Sequence, residues 1–399
     1  MASHVRWSHA VLCLGFVLFL FIPSIDLIFH VDRTRLGDEA TRMADITLAV
    51  HDLASLKRLP GNLRWYLQQT FGFRGALVRT HGIVKVHALG VTSSRQVLIG
   101  REGWLYLATE GSLDDYRRLV TLSPDKLARY RSVLAERKQW LAAQGIDFVF
   151  VIGPSKHTIY PEYMPSSVEQ GHGPSALDQL YGAVQDLALD VRPALLAAKP
   201  RARLYHATDT HWNELGALVA AGEVARALQK QHALLKQQPA LPALPALDLD
   251  HVQTTPVTLP GGDLSRLLGL KFDSHEATWH TTFPNGAEPL VDGKPIEVVS
   301  VDVQPAPKVR LHNPSAPLRK AVVFRDSFGE LLMRPLAQLF REILFVGTDE
   351  FNPALIEAEK PDVVIHELVE RRIPTHEPHD LAQARALALA VAETDSPSH

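Results

Sequence analysis

The chain has 399 residues, 46% of them hydrophobic, enough for one large folded domain with an accessory region. A formal net charge of −3 offers no basic field, which excludes nucleic acid as a partner. The one cysteine, Cys13, lies in an apolar N-terminal run, so a disulfide framework, a cysteine metal site and a thiol nucleophile downstream are excluded as well.

The first element is apolar. Arg6 precedes a run from Ala10 to Pro23, and a second apolar patch follows at Leu27–Phe29. Ala10 to Phe29 spans 20 residues, about 30 Å as a helix, enough to cross a bilayer. No Ala-x-Ala-like cleavage site follows it. The expectation is an uncleaved signal anchor over residues 1–35, its amino end in the cytoplasm and the rest of the chain across the membrane. A cleaved signal peptide is the competing reading.

Residues 36–95 form a connecting region with helical patterning in "ADITLAVHDLASLKRL" and "RGALVRTHGIVKVHAL". "QVLIGREGWLYLAT" predicts two short strands around Arg101-Glu102-Gly103. "SPDKLARYRSVLAERKQWLAAQG" predicts a helix with Ser123 as N-cap, Pro124 at its first position and Gly145 at its end. "IDFVFVIG" reads as a buried strand. "ARLYHATDTHW" reads as extended and leads into the helix "NELGALVAAGEVARALQKQ". The strand "KAVVF" precedes a helix "FGELLMRPLAQLF", and "EILFVG" and "DVVIHEL" are two more strands. "PALPALPALDLDHVQTTPVTLP" reads as a long loop or insertion. Strands alternating with helices predict an α/β sandwich with a mainly parallel sheet over residues 96–380, followed by a C-terminal helix and tail at 381–399.

Two segments carry candidate chemistry. In "AVVFRDSFGE" a strand runs into Ser327, whose hydroxyl would stand at the carboxyl end of the sheet, where open α/β folds hold their sites. Amides at the start of the following helix could stabilise an oxyanion. Ser327 as a plain helix N-cap is the competing reading. In "YHATDTHWNELGA", Asp209 and His211 lie two apart, and in an extended segment such residues point to the same side. The carboxylate would orient the imidazole, and the imidazole would take a proton from a serine. Asp209, His211 and Ser327 would then make a triad. Asp209 as a helix cap and His206, Asp209 and His211 as metal ligands compete with this.

Lys156, Tyr160 and Tyr163 follow a strand and could line the same cleft, as could Trp212 beside His211, although ordinary packing is the leading reading of each. Trp104 reads as core, and Asp263 in "GGDL" as a turn aspartate or a group orienting a site loop. Glu367, Glu370, Arg371 and Arg372 read as a solvated face. No dinucleotide or phosphate-loop motif is present, and no cofactor is expected.

These segments resemble the alginate O-acetyltransferase AlgJ/AlgX family, whose fold is SGNH-hydrolase-like. "YHATDTHWNELGA" is similar to its Asp-x-His-Trp signature, "VLIGREGWLYL" to its Gly-x-x-Gly-Trp-Leu segment, and "VIGPSKHTIYPEYMP" to its Pro-x-Lys…Tyr-Pro stretch. "GGDL" and "FRDSFG" match its Gly-Asp-Leu and serine elbow, all in order between about residues 97 and 330. The resemblance implies a three-layer sandwich, with the catalytic aspartate and histidine on Asp209 and His211 and the nucleophile on Ser327. Where many SGNH enzymes have Gly-Asp-Ser, this chain has Arg325-Asp326-Ser327, which puts the shape of the oxyanion hole in question and makes Arg325 a candidate to hold substrate. The implied function is O-acetyl transfer to an exported polysaccharide. Its implied setting is the bacterial inner membrane with the catalytic region in the periplasm, and a membrane-bound O-acyltransferase as acetyl donor. The alternatives are an acetyl esterase with the same triad and a non-catalytic polysaccharide-binding scaffold.

Overall fold

The computed structural model describes residues 15–17, 21–26, 29, 31–32, 52–235, 243–283, 290–291, 294–295 and 308–394. These fall into two units, residues 1–94 with 265–273, and residues 95–264 with 274–399. Most of the expected anchor and the end of the C-terminal tail lie outside the described residues. Among the described residues no helix is long and apolar enough to cross a membrane.

The first unit holds the helices Leu53–Thr70 and Arg74–Ile83. Asp52 starts the first with a reciprocal cap, its carboxylate accepting from Ser55 N at 2.6 Å while Ser55 Oγ accepts from Asp52 N at 3.0 Å.

In the second unit, strands β1 (Val97–Ile99) and β2 (Leu105–Leu107) pair antiparallel as the expected hairpin. The helix Pro124–Ala142 begins where its cap predicts, with Ser123 Oγ accepting from Lys126 N at 3.2 Å. The remaining strands are β3 (Asp147–Gly153), β4 (Ala188–Asp190), β5 (Gln253–Pro260), β6 (His275–Thr282), β7 (Leu290–Val291), β8 (Lys294–Pro295), β9 (Lys308–His312), β10 (Leu318–Phe324), β11 (Phe340–Val346) and β12 (Val363–Val369). Eight of them form one sheet in the order β4-β3-β12-β10-β11-β9-β7-β8.

The sheet is mixed rather than mainly parallel. The five strands from β4 to β11 pair parallel, whereas β9, β7 and β8 continue antiparallel. The inner parallel strands are largely apolar because both of their faces are covered. Val149, Val151, Val323 and Ile365 pack with Leu215, Leu218 and Val224 of the helix Glu214–Leu235. Phe150, Ile152, Val322 and Val364 pack on the other face with Tyr130, Leu134, Leu177 and Leu180 of two further helices. That makes three layers. Each such side chain contributes roughly 1.5–3 kcal/mol by leaving water. Strand β9, "KVRLH", alternates polar and apolar residues and forms part of the antiparallel border.

Two further expectations are corrected. Part of the proline-rich segment is not loop: β5 pairs along its whole length with β6, and Pro256 is accommodated because a two-stranded ribbon leaves one edge open. "FGELLMRPLAQLF" is not one helix but a 3₁₀ turn, Phe328–Glu330, and a four-residue helix, Met333–Leu336. Pro335 brings no N–H and would clash with the carbonyl four residues earlier in a continuous helix.

Candidate active site

The segment carrying Asp209 and His211 is not extended. Tyr205 and Trp212 form an antiparallel bridge, His206 N donates to His211 O at 3.2 Å, and the residues between them close into a tight loop. The alignment expected of an extended segment therefore does not apply. Asp209 instead reaches His211 by bending back: Oδ1 accepts from His211 N at 3.0 Å and lies 2.6 Å from Nδ1. Its Oδ2 accepts from Asp263 N at 2.8 Å.

Three groups from elsewhere in the chain hold the loop. Glu276 on β6 accepts from Ala207 N (2.6 Å), Thr208 N (3.0 Å) and Thr208 Oγ1 (2.6 Å). Asp263 accepts from Thr210 N at 2.8 Å and Thr210 Oγ1 at 2.5 Å. Lys156 Nζ donates to the carbonyls of His206, Ala207 and Asp209 at 3.0, 3.0 and 2.6 Å. Gly262 permits the closeness, since a Cβ there would fall 2.3 Å from that of Asp209.

Ser327 follows β10, which lies between β12 and β11 in the sheet. Asp326 shapes the turn: Oδ1 accepts from Phe328 N at 2.8 Å and Oδ2 from Val369 N at 2.7 Å. The Ser327 side chain makes no cap hydrogen bond. Its partly exposed Oγ lies 2.9 Å from His211 Nε2. The Phe328 ring packs against both His211 and Trp212.

Electrostatics follow the geometry. Burial opposes the negative charge of Asp209, but the adjacent His211 outweighs it and holds the carboxyl far below its ordinary range. Burial likewise opposes protonation of His211, yet Asp209 wins and raises the imidazole above its usual 6.5. Burial, with the charge of Asp209 second, raises the Asp263 carboxyl. Burial lowers the Lys156 ammonium to about 8.

The structure thus brings Asp209, His211 and Ser327 together and buries the four residues expected to contact substrate. Lys156 is 4% exposed and spends its donors on the loop carbonyls. Tyr160 is also buried, its hydroxyl accepting from Leu204 N at 2.9 Å. Trp212 is 0% exposed and its indole N–H donates to Phe328 O at 3.0 Å. Arg325 is packed under the turn, with Nη1 bonded to Asp326 O at 3.2 Å, and a Cβ at Gly329 would lie 2.4 Å from the Arg325 Cβ. Each is a wall or brace of the site.

His206 turns to Glu276 at 3.3 Å, so the competing metal trio does not converge. Ligand-type atoms of Asp209, His211 and Asp263 do approach within 4.8 Å, but every oxygen of those two carboxylates already has a hydrogen-bond donor. The solvated face at the last strand is corrected too: Glu367 and Glu370 are buried, and Glu367 accepts from Asp326 N at 3.2 Å. Nothing in the sequence marked Glu276. Its signal is an acid on the inward register of a strand, beside Thr278.

Residues 97–280 match the family model described as SGNH hydrolase-like domain, acetyltransferase AlgX. The probable alginate O-acetylase AlgJ of Pseudomonas syringae pv. tomato is 30% identical over 146 residues, 36% of this chain and 36% of that protein. The protein of the same name from Pseudomonas aeruginosa is 31% identical over 149 residues, 35% and 34% of the two chains. The match thus spans about a third of the length of these curated relatives. Among solved structures, Bacillus cereus PatB1 superposes with a TM-score of 0.51 at 13% identity, over 69% of this chain and 96% of that one, a likeness of fold alone. Ser327 lies beyond the residues matched to the family, and its place in the site rests on the coordinates. Over residues 97–280 the chain is thus similar to the SGNH hydrolase-like domain of the acetyltransferase AlgX, the resemblance read from the motifs that fall in that range.

Proposed function

We propose that the protein is an O-acetyltransferase that passes an acetyl group through an acyl-serine onto hydroxyls of an exported, alginate-like polysaccharide. The observation that carries this reading is the line of contacts from Asp209 through His211 to Ser327, 2.6 and 2.9 Å long. The relatives named alginate O-acetylases support acetyl transfer as the chemistry.

Ser327 Oγ attacks the acetyl carbonyl as its proton passes to His211 Nε2, and Asp209 stabilises the resulting imidazolium. The amides of Asp326 and Phe328 are already bonded, to Glu367 and to Asp326 Oδ1, which leaves the amide of Ser327 itself to meet the oxyanion. One such donor contributes roughly 3 kcal/mol. His211 then protonates the leaving group. A sugar hydroxyl next gives its proton to Nε2 and attacks the acyl carbon, and the sugar ester leaves as Ser327 is restored.

The acetyl donor in this proposal is a membrane-bound O-acyltransferase. Residues 1–35 anchor the chain in the bacterial inner membrane with the catalytic region in the periplasm, a reading supported by the apolar run from Ala10. Retention in membranes after an alkaline wash tests the anchor.

Ser327→Ala is expected to keep the wild-type circular dichroism and to lose transfer from a small acetyl ester to an oligosaccharide. Near-normal sugar acetylation by that variant contradicts the proposal. Release of acetate by the wild type with no acetylated sugar makes the protein an esterase. Failure of a fluorophosphonate probe to label Ser327 leaves a scaffold.

A further inference from the structure

A second constellation lies apart from the triad, where β3 and β12 end side by side with Gly153 opposite Val369. His157 comes from the short helix Lys156–Ile159 after β3, Glu370 from the residue after β12, and Asp115 from the short helix Ser112–Tyr116. All three are buried, at 6, 1 and 4% exposure. Each offers one ligand atom within 4.8 Å of the others.

Asp115 Oδ2, His157 Nε2 and Glu370 Oε1 are all enclosed and have no hydrogen-bond partner, and Asp115 Oδ2 lies 3.7 Å from His157 Nε2. Their other oxygens are fixed. Asp115 Oδ1 accepts from Ala176 N at 2.7 Å, and Glu370 Oε2 accepts from Ser155 N and Thr158 Oγ1, each at 2.7 Å. Carboxylates oriented by outer hydrogen bonds, with free lobes turned to a shared point, are how proteins prepare a cation site. Arg118 Nη1 comes only to 4.0 Å from Asp115 Oδ2, too far for a hydrogen bond. Ser155 Oγ, also buried and unpartnered, belongs to the same group of residues. Buried polar atoms left unpaired are destabilising, so three together call for an occupant.

We propose that Asp115, His157 and Glu370 bind one divalent transition-metal cation, separate from the catalytic triad. One imidazole and two carboxylates suit zinc, which takes nitrogen and oxygen ligands at about 2.0–2.2 Å. Closing 3.7 Å to the separation of two ligands on one ion takes only a small side-chain movement. The ion braces the site from behind. His157 adjoins Lys156, whose ammonium holds the histidine loop, and Glu370 adjoins Val369, whose amide holds Asp326.

The test uses the untagged full-length protein, with metal content read by mass spectrometry and thermal midpoint read during titration with zinc chloride. The expected result is about one zinc per chain and a midpoint raised by about 3 °C or more. His157→Ala and Glu370→Gln are expected to abolish stoichiometric zinc, whereas His211→Ala retains it. Wild-type protein that neither carries nor responds to zinc or manganese overturns the proposal, and needs no variant to fold. So does zinc lost in His211→Ala but kept in His157→Ala, which would move the ion to the catalytic loop.

Discussion

The indole N–H of Trp212 donates to the carbonyl of Phe328 at 3.0 Å, so the neighbours of His211 and Ser327 are fastened to each other. The bond lies between residues 116 apart in sequence and sets the distance between base and nucleophile. Trp212→Phe keeps a buried ring but leaves the carbonyl unpaired, at about 1–3 kcal/mol. We expect a lower melting temperature and a loss of roughly tenfold or more in kcat on a small acetyl ester, since a 1 Å misplacement can cost about 10². Unchanged kcat would separate this bond from catalysis.

Gly262→Ala tests the packing behind Asp209. The new methyl would sit 2.3 Å from Asp209 Cβ and 2.5 Å from Oδ2, and would push the carboxylate off the imidazole. A destabilisation of about 1–3 kcal/mol and a fall of about 10² in kcat are expected. Gly182→Ala is the control: nothing lies within 4 Å of that position in the helix Ala176–Val184, so unfolding measurements should show no loss.

The pH profile follows from His211. A general base works when neutral, so kcat/KM should rise with pH through a value above 6.5, because Asp209 raises the imidazole against the effect of burial. Asp209→Asn removes the larger charge that raises the imidazole and leaves Asp263 against burial, so the rising limb should move to lower pH while kcat falls about 10²–10⁴. The stability linkage has two signs. The raised His211 contributes fully below pH 6.5 and loses its contribution as pH climbs through the folded value. The depressed Asp209 contributes above pH 3.8 and loses its contribution as pH falls. Denaturant titrations across pH check both.

Lys156 governs the alkaline side. Burial lowers its ammonium to about 8, and above that pH it has two protons for three carbonyls. The wild-type rate should decline through about pH 8. Lys156→Met should lower kcat at least tenfold at neutral pH and abolish that decline, an outcome a merely structural role would not give.

The parts of the fold that were legible are those where local chemistry and tertiary packing agree. The Ser123 cap, the apolar strand "DFVFVIG" and the alternation from β10 to β12 each state their own structure. Asp209, His211 and Ser327 were legible as residue types at element ends. The loop that unites the first two was not, because its shape is set by Glu276, Asp263 and Lys156, all distant in sequence. Arg325, Glu367 and Glu370 misled for the opposite reason: charge predicts exposure, and only the coordinates reveal burial beneath the turns. The fragmentation of "FGELLMRPLAQLF" was available in Pro335 and outweighed by its apolar periodicity.

Covalent transfer requires the acetyl group to rest on Ser327 between donor and sugar. Rapid quenching of the protein with a small acetyl ester, followed by peptide mass spectrometry, measures this directly. One acetyl group should appear on the peptide bearing Ser327, disappear when oligosaccharide is added, and be absent in His211→Ala. Acetyl on another residue, or equal labelling of Ser327 without His211, would contradict it.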